Sequence, residues 1–130
     1  DVIDARRERG EKIGALAVRT FRPYPLEEVR AALAHAKRVI VVEKAFAVGV
    51  GGIVGQNVRF ALTGLDIDVH NVIAGLGGRP ITAASLHAML DHELPPLSFL
   101  DLDRRLVERE LARETGPHAE NMLRDLAGRL

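Results

Sequence analysis

Val69-His70-Asn71-Val72-Ile73-Ala74-Gly75-Leu76-Gly77-Gly78-Arg79-Pro80-Ile81-Thr82 decides how this chain is read. A short apolar run reads as a buried strand, and a glycine cluster follows at once. Glycines at the C-terminal end of a strand let the backbone turn with positive φ and lie close to a neighbour. Thr82 is placed to cap a helix over Ala83–Leu90. In open parallel sheets, that edge is also where ligands and partner domains dock.

The pattern repeats on the N-terminal side. Val2–Arg9 reads as a helix stopped by Gly10, and Ile13–Phe21 as a strand. Arg22-Pro23-Tyr24-Pro25 must turn, because two prolines remove backbone donors there. Leu26–Ala36 is amphipathic, with Leu26, Val29, Ala32 and Leu33 on one face and Glu27, Glu28 and Arg30 opposite. Arg38–Glu43 is a β-branched run of the kind buried on both faces of a parallel sheet. A glycine-rich loop, Gly49–Gly55, leads to a helix from Gln56 to Leu62, and Asp68–Ala74 supplies the third strand. Strands alternating with helices predict an α/β class: a three-layer, Rossmann-like open parallel sheet.

Leu94-Pro95-Pro96 closes that unit, giving an α/β domain over 1–93 and a helical tail over 94–130. Leu100, Leu102, Leu106, Val107 and Leu111 form an apolar stripe among many charges. A break at Gly116-Pro117 then precedes a last helix over His118–Leu126. The tail is expected to pack on the domain or on another subunit, so the chain is expected to be oligomeric. Three strands make a thin sheet, and the chain opens on a helix with no strand before it. The expectation is an N-terminally truncated domain, because an unpaired parallel edge is normally avoided.

Composition excludes several functions. The 130 residues carry 18 basic and 18 acidic side chains, and aromatics are 4%. Neither a basic footprint nor stacking platforms for nucleic acid are present. There is no cysteine, so the chain offers no disulfide, thiolate nucleophile or cysteine ligand. That suits a cytoplasmic location. No apolar run approaches the roughly 20 residues that cross a bilayer.

Candidate sites gather at the glycine loops. Gly49-Val50-Gly51-Gly52-Ile53-Val54-Gly55 fails the G-x-G-x-x-G dinucleotide pattern, because Val54 holds the sixth position. A tight turn with close helix packing, involving Gly51 and Gly52, is the better reading. Gly75, Gly77, Gly78 and Arg79 either cradle an anion or form a turn whose arginine bridges to a neighbouring domain. Glu43 and Lys44 are either an acid–base pair or a strand-end interface pair. His87 and His92 sit five apart, and the five histidines make no metal set. His70 reads as a packed strand residue. With Ser85 and Ser98 as the only serines, no nucleophile elbow exists. No catalytic set, resident cofactor or metal site is expected in this chain alone.

Three ordered motifs then carry a resemblance: RTFRPYP at 19–25, RVIVVEKAFAVGVGG at 38–52 and NVIAGLGGRPIT at 71–82. Together they resemble the second domain of pyruvate and other 2-oxoacid:ferredoxin oxidoreductases, itself similar to the transketolase C-terminal domain. The sequence departs from that family at Pro80, where an aspartate is usual, and at Glu43-Lys44, where Asp-Arg is common. The resemblance implies an α-subunit part of an enzyme that oxidatively decarboxylates a 2-oxoacid to acyl-coenzyme A. Thiamine diphosphate with Mg2+ and iron–sulfur clusters would sit on other domains, and ferredoxin or flavodoxin would take the electrons. This domain would brace the thiamine-binding domain or β subunit, with its glycine-rich edge facing a partner. Two other classes stay open: an oligomerisation module, or a stand-alone anion- or nucleotide-sensing module.

Overall fold

The computed structural model describes residues 1–113. The elements run α1 (Val2–Glu8), α2 (Leu26–Leu33), β1 (Arg38–Glu43), α3 (Ile53–Ala61), β2 (Asp68–Ile73), α4 (Ala83–Asp91), β3 (Leu97–Phe99) and α5 (Arg104–Arg113). A short 3-10 turn at Leu76–Gly78 follows β2. Side-chain caps start several helices: Asp1 accepts from the Ile3 amide, Thr82 from Ser85 and Asp103 from Leu106.

The three strands lie in the order β1-β2-β3, all parallel, so the α/β open sheet expected from the alternation is the one observed. Register pairs Val39 with Val69, Val41 with Asn71 and Glu43 with Ile73. Those six side chains share one face. There Val39 and Val41 meet Val29 from α2 with Val58, Ala61 and Leu62 from α3 and its end, which is the main core. Arg38 falls on the opposite face and donates to the His92 carbonyl just beyond α4, at 2.9 Å.

Position in the sheet decides how each strand is buried. β2 is central, and His70, Asn71, Val72 and Ile73 are all buried. β1 is an edge strand: Val39, Val41 and Glu43 are buried, while Val42 is 41% exposed. Burial on both faces, expected of the β1 run, is therefore a property of β2. The β-branched composition of β1 reflects strand propensity more than enclosure.

Two further differences concern strands. Ile13–Phe21 forms no ladder; its Leu16–Thr20 stretch borders a groove of about 250 Å3 against Pro25, Glu28 and Val29. Its composition suits a strand, but a strand exists only with a hydrogen-bonded neighbour. Conversely, Leu97–Phe99 lies beyond Pro95-Pro96, where the sequence ends the α/β unit, and yet it continues the sheet. Asn71 donates to the Pro96 carbonyl and Leu100 to Ile73, which lock it to β2. The tail stripe is helical over α5, while the expected helix His118–Leu126 lies outside the described residues.

Arginines staple the connections. Arg30 donates to the Ala61 and Thr63 carbonyls, Arg59 to Pro96 and Arg7 to Ile13. The guanidinium fork suits such multiple donation. Arg6 is the most enclosed. It holds the His87 carbonyl at 2.7 Å and Nδ1 at 3.2 Å, and forms ion pairs with Glu11 and Asp91. This side chain fastens α1 to α4. The hydrogen bond from Arg6 holds the Asp91 carboxyl below its usual range, against a smaller opposing effect of desolvation. A lowered folded pKa adds stability above the unfolded carboxylate pKa of roughly 3.9, and that stability is lost as pH falls through the folded value. Thermal melts of Asp91→Asn should therefore match wild type more closely at pH 3 than at pH 7. Arg6→Met should melt lower than wild type at both, because the His87 contacts do not titrate with Asp91.

Candidate functional site

The loops that follow β1 and β2 leave the sheet at its C-terminal edge, and two sequence-selected residues, Glu43 and Gly52, converge there with Asn71 and Gly55. Glu43 ends β1 with its side chain buried on the core face. Helix α3 starts at Gly52, which has no side chain to cap it. Glu43 does so from a distance: Oε2 accepts from the Val54 amide at 2.9 Å and Oε1 from Gly55 at 2.8 Å. A carboxylate at a helix N-terminus is favoured by both the free amides and the helix dipole.

Asn71 completes the arrangement. Its Oδ1 accepts from the Gly52 amide at 2.9 Å, and its Nδ2 donates to Glu43 Oε1 at 2.8 Å and to the Val41 carbonyl at 3.2 Å. One buried asparagine of β2 thus joins the end of β1 to the N-cap residue of α3. Space is as tight as the bonding. A Cβ on Gly52 would overlap the Glu43 and Asn71 side-chain oxygens, and one on Gly55 would lie 2.7 Å from Asn71 Cγ. The two glycines are needed for close approach, since neither has positive φ.

Tyr24 packs against the same core, and its buried hydroxyl has no hydrogen-bond partner among the described residues. Burial pushes its phenol above the ordinary range, and the Glu43 charge adds to that.

The other sequence-selected residues take separate places. Lys44 is exposed, and the partners of Glu43 are backbone amides and Asn71. Gly51 turns at φ +94° beside Leu97 of β3. Gly75, Gly77 and Gly78 all have positive φ and carry the chain through the turn after β2. Arg79 donates to the Asp101 carbonyl, tying this turn to the chain beyond β3. His70 is buried, its ring nitrogens against Asp68 and the Pro95 carbonyl.

Sequence reasoning missed Asn71 and Gly55 as site residues. The available signal was a lone amide inside an apolar strand facing a strand-end glutamate.

This donor set does not fit the cofactors of thiamine-dependent oxidoreductases. The α3 amides that could meet a phosphate already hold a carboxylate, whose charge would repel one. Among the described residues, no three His, Asp or Glu side chains group as metal ligands. With no cysteine in the sequence, thiolate ligands for a cluster must come from elsewhere. The geometry instead makes a rigid strand–helix junction.

Comparison with known proteins bears on that junction. The family described as pyruvate:ferredoxin oxidoreductase core domain II matches residues 1–86. The pyruvate synthase subunit PorA of Methanothermobacter thermautotrophicus is 38% identical over 90 residues, covering 69% of this chain and 23% of that protein. PorA of Pyrococcus horikoshii is 38% identical over 91 residues, covering 66% and 22%. The ketoisovalerate oxidoreductase subunit VorA of Pyrococcus furiosus is 30% identical over 115 residues, covering 87% and 29%. The chain thus spans about a quarter of the length of these relatives. No solved structure matches significantly.

Both Glu43 oxygens act as acceptors toward amides, so a glutamine there must turn an NH2 group on a backbone donor. Glu43→Gln and Asn71→Ala should each lower unfolding free energy by about 1–3 kcal/mol. Gly52→Ala should cost about 2 kcal/mol or more through overlap. Lys44→Ala should stay within about 0.5 kcal/mol. Urea unfolding followed by circular dichroism measures all four.

Proposed function

This chain belongs to the pyruvate:ferredoxin oxidoreductase core domain II family, and from that membership we propose that it is a non-catalytic structural module of a 2-oxoacid:ferredoxin oxidoreductase. In the complete enzyme, a 2-oxoacid of the pyruvate or branched-chain type is oxidatively decarboxylated to acyl-coenzyme A. Thiamine diphosphate with Mg2+ supplies the carbanion chemistry and iron–sulfur clusters pass electrons to ferredoxin or flavodoxin. Those groups are held by other domains or subunits, and the enzyme works in the cytoplasm. This chain braces the thiamine-binding domain or β subunit within an oligomer.

The observation that carries this reading is the closed strand–helix junction. Glu43 fills the amides of α3, Asn71 bonds the end of β1 and the Gly52 amide, and Arg79 is tied to the Asp101 carbonyl. Groups that could grip an anion are spent on shaping the loops, which favours a scaffold over a sensor. The relatives named as subunits of pyruvate synthase and ketoisovalerate oxidoreductase support the same reading.

Reconstitution tests it. The 130-residue chain is expressed alone and with the thiamine-binding and cluster-binding subunits encoded by the same organism. Methyl viologen reduction with pyruvate or 2-ketoisovalerate and coenzyme A should be absent for the chain alone. It should appear in the mixture and fall when the chain is omitted. Turnover by the chain alone, or activity indifferent to its omission, would overturn the proposal. Titration calorimetry with phosphate and thiamine diphosphate should give no heat with the isolated chain.

A further inference from the structure

Between β1 and α3 the chain makes a miniature hairpin whose construction serves something outside the domain. Ala47 and Gly51 exchange two backbone hydrogen bonds, each 2.8 Å, and Val50 also donates to Ala47 at 3.0 Å. Gly49 and Gly51 supply the positive φ that closes so tight a turn. Gln56 of α3 donates its side-chain amide to the Val50 carbonyl at 2.8 Å. At the base, Phe46 packs edge-on against Phe99 of β3, ring centroids 5.2 Å apart, so the loop reaches across the end of β2. Glu43 before it and Gly52 after it are both fixed by Asn71.

A loop held from both ends and from below nevertheless points its apolar side chains outward. Val48 is 52% exposed and Val50 51%. Ala45–Gly55 carries no charged or hydrogen-bonding side chain. On the next loop of the same sheet edge, Leu76 and Ile81 are also exposed. Nothing inside the domain is gained by rigidifying exposed valines. Their stiff rotamers lose little entropy on burial, which favours use as a fixed apolar knob. Preorganisation lowers the cost of binding in the same way.

We propose that the Ala47–Gly51 hairpin is a preformed docking knob, with Val48 and Val50 as the inserted side chains and an apolar pocket on the thiamine-binding subunit as the receptor. This rests on the structural-module reading above and names the contact through which it acts. The occupant is a protein pocket because the tip offers no charge for an anion and its Val50 and Gly51 amides are bonded within the turn. A subunit of the same enzyme is the occupant because the relatives are themselves named as subunits.

Binding of the full chain to the purified thiamine-binding subunit, measured by interferometry and by co-elution, tests the knob. Val48→Asp and Val50→Asp should each weaken binding at least about tenfold, since a carboxylate does not enter an apolar pocket unpaired. Val50→Ile should bind like wild type. Phe60→Asp is the control, 69% exposed and about 10 Å further along α3. It should leave affinity unchanged. Melting temperatures confirm that each variant is folded.

Wild type that binds while both aspartate variants bind equally well overturns the knob and leaves the module reading intact. Wild type that fails to bind overturns both. Self-association of the chain that Val50→Asp abolishes would assign the hairpin to a second copy and overturn the proposed receptor.

Discussion

The carboxylate of Glu43 answers to two strands and a helix at once. It terminates β1, caps the bare amino end of α3 and takes a hydrogen bond from Asn71 on β2. Buried ions are costly unless bonded, and here both carboxylate oxygens accept from amide groups. Because Gly52 cannot cap its own helix, α3 begins where it does only while β1 and β2 keep their register. The sheet, the first turn of α3 and the shape of the β1–α3 loop are one mechanical unit.

The rest of the domain is organised around that unit by less demanding means. Valines from α2, β1 and α3 fill the core on the Glu43 face. Guanidinium groups cross from one element to the carbonyls of another: Arg6 to His87, Arg30 to Ala61, Arg38 to His92, Arg59 to Pro96 and Arg79 to Asp101. These links tie neighbouring elements together through their backbone carbonyls. A domain with few aromatics is held in this way by many long, polar-tipped side chains. That leaves the exposed apolar groups of the C-terminal sheet edge as surface the interior does not require.

Much of this was legible from residue order. Period and turn chemistry located β1, β2, α2 and α4, and the Thr82 cap was readable because its partner lies three residues away. What failed depended on distant partners. Ile13–Phe21 has the composition of a strand, but pairing is not a local property. β3 is three residues long after two prolines, and it is a strand because Asn71 and Ile73 of β2 bond to it. Glu43 drew notice as half of a charged pair, but its decisive neighbours lie up to 28 residues away. Asn71 was in plain view within NVIAGLGGR. Its role needed the register that places it beside Val41, one step from Glu43 on the same face.

The absent Cβ atoms of Gly52 and Gly55 carry one more consequence. Side-chain volume at the junction is a shared allotment among positions 43, 52, 55 and 71. An atom added at either glycine demands an atom removed from the glutamate or the asparagine, and that removal strips the helix of its cap. A larger side chain at one of these four positions is therefore tolerated only with a smaller one at another, so the four positions act as one volume.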